Sequence, residues 1–305
     1  MGVISIEPNS HEHWLELRSK NLNSTDIAVL FGCSPYMTLF ELWHLKKGNI
    51  QPNFEVNERM KWGNRLQDPI AYGVAEDKGW KVRKKTEYVY DSYLKLGSSF
   101  DFAVMGNALQ GEVALLEIKN VDAMAFKQGW EQYDDGTLEA PLHIELQVAH
   151  QMMIADLNKC YIAALVGGNT AVILERDRHY EFERKIMQKS KEFWLSIDNN
   201  IEPKPDFNKD ADVIKDLYST AVKGKFVEAT AKADELAEKY SFLSESIAAL
   251  EKEKTAVKSQ LLTIMGDAEK MISPKFSATA GMVKRAGYEV KPTEYRNFRL
   301  SFKGE

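Results

Sequence analysis

Asp101, Glu117 and Lys119 are the residues whose types and spacing could do chemistry. They lie in "GSSFDFAVMGNALQGEVALLEIKN", from Gly97 to Asn120. Glu117 and Lys119 stand two apart in an otherwise oily run. In a strand, residues i and i+2 point to one face, so these two project together while Ile118 points away. A hairpin through "GNALQG" would fold "FDFAVM" against "EVALLEIKN" and bring Asp101 back beside them. Two carboxylates at one strand end make an oxygen-rich site of the type that holds Mg²⁺, with water completing its shell. A metal there would acidify a bound water and neutralise charge on a phosphoryl oxygen. A lysine beside it would orient the water and stabilise the growing negative charge. The plain alternative is an ion pair on an exposed edge strand.

The elements that must position these groups can be read from periodicity. "SPYMTLFELWHLKKG" reads as a helix capped by Ser34, with Pro35 in its first position and Gly48 as its stop. A second helix spans Asn57 to Lys78, with a break or kink expected at Pro69. "WKVRKKTEYVYD" alternates and reads as one strand. "PLHIELQVAHQMMIADL" has helical spacing, with Ile144, Val148, Met152 and Ala155 on one face. "CYIAALVGG" and "TAVILERD" form a second hairpin, and "EFERKIMQKSKEFWLSI" a further helix. This order predicts an α+β (mixed α/β) fold with a small central sheet.

The chain has 305 residues, 44% hydrophobic and 28% charged, which suits one large domain and a smaller appendage. The polar, stiff "EPKPD" places the joint near residue 204, giving units 1–204 and 205–305. Beyond it, Leu236, Tyr240, Leu243, Ile247, Leu250, Lys254, Val257, Leu261 and Ile264 alternate four and three apart. That is a heptad seam on a helix of about 231–266, which should pair with another helix, of the same chain or of a partner. Short β strands are expected after it. Two cysteines, Cys33 and Cys160, suit a reduced, cytoplasmic protein, and no run is apolar enough for a membrane span. A net charge of −5 means that any nucleic acid must be held by a local basic patch.

Asp101 followed sixteen residues on by Glu117-Ile118-Lys119 resembles the PD-(D/E)xK nuclease signature. Four blocks, in order, resemble the YqaJ viral recombinase family, which includes the lambda-type exonucleases: "WLELRSKNLNSTDIAVLFGCSPY", "MKWGNRLQDPIA", "GSSFDFAVM…LLEIKN" and "HIELQVAHQMMIA". The resemblance implies a restriction-endonuclease-like sheet flanked by helices. It implies Asp101, Glu117 and the Ile118 carbonyl as metal ligands, Lys119 as the water-orienting lysine and Gln147 as a polar helper. Arg18, Thr25 and Ser24 match the positions that hold a terminal 5′-phosphate. The family's glutamate is here Gln67, followed by Asp68, so either one is the further metal ligand. Its Pro-Asp-Gly is here Phe100-Asp101-Phe102. The implied function is a Mg²⁺-dependent 5′→3′ exonuclease on double-stranded DNA ends, with Mn²⁺ as substitute. It would leave 3′ single-stranded tails for a single-strand annealing protein, and act as a homo-oligomeric ring of three or four. The alternatives are a structure-dependent or site-specific endonuclease with the same site, or a non-catalytic DNA-binding or assembly protein.

Other polar and aromatic residues read less sharply. Gln147, His150 and Gln151 share a helical face and could rim a DNA groove. Trp62, Trp80 and Trp130 could stack on bases, but aromatics at helical or strand spacing are more often core. His11 and His13 lack a third ligand and read as surface residues.

Overall fold

The computed structural model describes residues 2–52, 57–284, 287 and 295–300. Two units follow one another, Met1–Leu217 and Tyr218–Glu305. In chain order the first holds β1 (Val3–Ile6), α1 (His11–Ser19), β2 (Leu22–Asn23), α2 (Ser24–Leu30), α3 (Leu39–Lys47) and α4 (Glu58–Lys78). There follow β3 (Lys81–Lys84), β4 (Tyr88–Asp91), β5 (Leu96–Ser98), β6 (Phe102–Met105), β7 (Glu112–Val121) and α5 (Ala123–Gly129). It closes with β8 (Glu131–Gln132), β9 (Leu138–Glu139), α6 (Leu142–Ala155), β10 (Lys159–Val166), β11 (Thr170–Asp177), α7 (Tyr180–Asp198) and α8 (Ala211–Leu217). The second unit holds α9 (Ala231–Met265), β12 (Lys270–Ile272) and β13 (Ser277–Thr279).

The fold is α+β. A five-stranded sheet in the order β11-β10-β7-β6-β3 is flanked by helices, and a smaller sheet runs β1-β4-β5-β2. β7 is central and covered on both faces, which is why its middle reads as a continuous apolar run rather than a half-polar one. Ala114, Leu116 and Ile118 pack with Ile70, Ala71 and Val74 of α4. Leu115 points the other way, into the core shared with Ile144, Val148 and Met152 of α6. Glu117 and Lys119 share that second face by the strand's two-residue period. β6 meets β7 antiparallel, while β10 pairs with β7 in parallel. A parallel neighbour needs a long crossover, and this one carries α6 over the Glu117 face.

Three local expectations are corrected. The segment at residues 80–91 is two strands, not one: β3 joins the large sheet and β4 the small one. Between them Lys85 is buried against Glu87 and Glu112, and its N–H bonds the Asp101 carbonyl at 3.0 Å, which turns the chain. α3 starts at Leu39, capped by Thr38, whose hydroxyl accepts the Glu41 N–H. Ser34 instead closes the preceding turn, accepting the N–H groups of Tyr36 and Met37. α4 runs unbroken through Pro69, whose exposed position leaves the freed carbonyl to water while Ile70, Ala71 and Val74 hold the helix to the sheet.

In the second unit α9 spans 35 residues and is capped by Thr230. Its only strands among the described residues are the β12–β13 hairpin; 285–286, 288–294 and 301–305 lie outside them. The expected pairing within the chain is not made in this unit. Its described residues contain no second helix, and the seam stays open, with Leu250 64% and Ile264 72% exposed. No described helix is long and apolar enough to cross a membrane.

Candidate active site

The β6–β7 ladder stops with Phe102 opposite Leu116, one residue short of the glutamate. Beyond that point a side chain takes the place of the strand. Asp101 Oδ2 accepts the Ile118 N–H at 2.7 Å, and its other oxygen accepts from the Gln67 amide of α4. Glu117, only 5% exposed, is held from the opposite side by α6. Its Oε1 accepts from Lys119 Nζ at 2.7 Å and Gln147 Nε2 at 2.5 Å. Its Oε2 accepts from Gln151 Nε2 at 2.8 Å. Lys119 also donates to Gln147 Oε1 at 3.0 Å. One strand and two helices therefore converge on a pair of carboxylates.

The charges do not balance. Burial, and after it the charge of Glu117, pushes Asp101 up to about 8, against opposing pulls from Lys119 and the Ile118 N–H. Burial works against the charge on Lys119 too, but the Glu117 ion pair outweighs it and raises the lysine above its usual value. Two carboxylates, Glu117 buried and Asp101 partly so, thus share one ammonium, and Asp101 is the one whose charge its surroundings oppose. A divalent cation fits both that deficit and the donor set, since carboxylate, amide and carbonyl oxygens are hard ligands. No cluster of three or more His, Cys, Asp or Glu side chains forms among the described residues. Water would fill the remaining positions, as Mg²⁺ prefers.

Gln67 and Asp68 part company here. Gln67 faces Asp101, whereas Asp68 is half-exposed and bonds Lys84 at 2.5 Å. Arg18 stacks on Trp14, 4.5 Å from the ring centroid, and its guanidinium donates to Thr25 Oγ1 at 3.4 Å. Ser24 is buried. At the α2 N-terminus the Asp26 carboxylate accepts both the Asn23 N–H and the Asn23 side-chain amide, and Asn23 Oδ1 accepts from the Tyr88 hydroxyl.

Thr25 shares a cleft of about 520 Å³ with Lys119, Gln147, Tyr36, His143 and Arg59. Tyr36 is 81% exposed and meets His143 edge-on, with ring centroids 5.8 Å apart. None of Tyr36, His143 and Arg59 stood out in the sequence.

The polar-rim reading of α6 is corrected. Gln151 is buried on Glu117, and the i, i+4 spacing from Gln147 was the available signal. His150 is fully buried, with neither ring nitrogen partnered. Trp130 is buried and stacked on Phe126, Trp80 packs on Tyr161, and Trp62 is exposed beneath Arg65. His11 stacks on Trp14, and His13 accepts the Asn9 N–H.

Residues 13–158 match the family model of the YqaJ-like viral recombinase domain. The uncharacterized protein YqaJ of Bacillus subtilis (strain 168) is 28% identical over 265 residues, 85% of this chain and 80% of that protein. Among solved structures, the alkaline exonuclease LHK-Exo of Laribacter hongkongensis is 17% identical, with a TM-score of 0.47, covering 67% of this chain and 99% of its own. A phage-related exonuclease of Haemophilus somnus 129PT is 12% identical, with a TM-score of 0.43, covering 59% and 95%.

Proposed function

We propose, from the match of residues 13–158 to the YqaJ-like viral recombinase domain, that this chain is a phage-type recombination nuclease of that family. It is a metal-dependent deoxyribonuclease that hydrolyses one strand of duplex DNA from its ends in the 5′→3′ direction and leaves a 3′ single-stranded tail. The observation that carries this reading is the convergence of Asp101, the buried Glu117 and Lys119 at the end of β7, two carboxylates against one ammonium.

Lys119 orients the attacking water and holds negative charge as it builds on the phosphate. Gln147 and Gln151 hold Glu117 in place, and Gln67 with the Ile118 N–H does the same for Asp101, so the site is arranged before substrate arrives. A divalent cation held by Asp101, Glu117 and the Ile118 carbonyl, Mg²⁺ or Mn²⁺, with Gln67 as a further donor in preference to Asp68, would supply an acidified water and charge neutralisation. Arg18 and Thr25 bind the 5′-terminal phosphate, which gives the polarity. Phosphate contacts fix register without reading bases, so sequence preference is slight.

Digestion of linearised and covalently closed plasmid, with Mg²⁺ or EDTA, tests the reading. Loss of linear DNA alone, abolished by EDTA and by Lys119→Ala in a protein that still melts cooperatively, supports it. Cutting of closed circles would replace it with an endonuclease, and inactivity on both would refute hydrolysis.

A further inference from the structure

α9 ends its sequence pattern in an unanswered surface. Leu236, Tyr240, Leu243, Ile247, Leu250, Val257, Leu261 and Ile264 form a stripe on which every side chain is at least 38% exposed. The stripe runs about 42 Å at 1.5 Å per residue. Among the described residues the chain's own tail meets it in one ring contact, where Phe298 lies edge-on to Tyr240 at 5.5 Å. We propose that this face is the interface of a parallel, two-stranded coiled coil between α9 helices of two copies of this chain.

The side-chain types select that occupant. With Leu236, Leu243, Leu250, Val257 and Ile264 at heptad position d, position a holds Tyr240, Ile247, Lys254 and Leu261. Leucine fills three of the five d positions, as in two-stranded parallel coils, and Ile247 is the one β-branched residue at a. A single lysine among the a positions, Lys254, costs stability but fixes register and oligomer state, because more helices around one core would bury more like charges.

The flanking charges agree. In a parallel pair each g residue faces the e residue five positions on in the other helix. Glu253 then meets Lys258 of the second copy, twice by symmetry. The other facing pairs, Lys239 with Ser244, Ser246 with Glu251 and Gln260 with Met265, set no like charges together. Alanine and serine at Ala237, Ser244 and Ser246 let the backbones approach. The proposal rests on the second unit alone and is independent of the nuclease reading.

Light scattering on the full-length protein, wild type against Leu243→Lys/Leu250→Lys, tests it. Both substitutions keep a good helix former on an exposed face, so far-UV circular dichroism should be unchanged while the mass falls twofold. Oxidation of Leu250→Cys gives orientation: a parallel pair sets the two introduced thiols side by side and yields a covalent dimer, whereas Lys252→Cys on the outer face does not. A wild-type mass of one chain, or a mass that the seam variant leaves unchanged, overturns the proposal and leaves the face to a different protein. Cross-linking between mixed Ile247→Cys and Leu250→Cys chains but by neither variant alone is the antiparallel result, and overturns it too.

Discussion

Acid should weaken this fold through His150, and the size of the effect follows from its surroundings. The imidazole is fully buried on α6, neither ring nitrogen has a partner, and burial pulls it from 6.5 down to about 3, with Asp26 opposing. The unfolded chain takes up a proton near 6.5 and the folded chain only near 3. Between those values the unfolded state binds more protons, so stability is complete above about pH 6.5 and is lost as pH falls toward 3. At pH 5 the gap is about 1.5 pH units, worth about 2 kcal/mol. For a unit of this size that is a drop in melting temperature of about 4–8 °C.

His150→Leu removes the titrating group and both orphaned nitrogens while roughly keeping the volume. The variant should be at least as stable as wild type at pH 7, since a buried polar atom without a partner costs about 1–3 kcal/mol. Melting both proteins at pH 7 and pH 5 isolates the residue, because every other group titrates in both. The expected result is a wild-type loss exceeding the variant's by about 2 kcal/mol. Equal losses would refute the reasoning and mean that His150 is hydrated or partnered in solution.

Gln151→Leu strips Glu117 Oε2 of its buried donor and should cost about 1.5–3 kcal/mol, read as a lower melting temperature at pH 8; an unchanged melt would mean that the bond carries nothing. Gln67→Glu sets a third carboxylate beside Asp101, so the metal-free protein should melt lower and bind Mn²⁺ more tightly by calorimetry; unaltered Mn²⁺ affinity would remove Gln67 from the site. Arg18→Ala should slow digestion of 5′-phosphorylated ends about ten- to hundredfold, the worth of a charge-assisted hydrogen bond, and spare 5′-hydroxyl ends. Equal slowing of both would mean that Arg18 does not read the phosphate.

Much of the architecture was legible because it is periodic. The hairpin of β6 and β7, the two-residue alternation that puts Glu117 with Lys119, and the helical faces of α6 and α7 all follow from local pattern. What pattern could not supply was the change of sheet between β3 and β4. Both halves alternate alike, and only the buried Lys85, satisfied by a Glu112 distant in sequence, breaks them apart. Pro69 misled for a related reason. Its local cost of about 3 kcal/mol is real, but the packing of α4 on β7 exceeds it, and packing is not visible in the segment itself.

The site was legible to the same limit. Strand geometry brings Glu117 and Lys119 together, but nothing local says that Glu117 has three donors or that two come from α6. Gln147, His150 and Gln151 present the same polar face to a helical wheel, yet in the fold two serve one carboxylate and the third is sealed in the core. The difference lies in which side of α6 meets β7, and the parallel crossover from β7 to β10 decides that. An amide four residues from another amide, on a helix that must cross a strand bearing a buried acid, is therefore a stronger signal than its polarity suggests. A buried carboxylate needs donors, and the crossover leaves α6 to provide them.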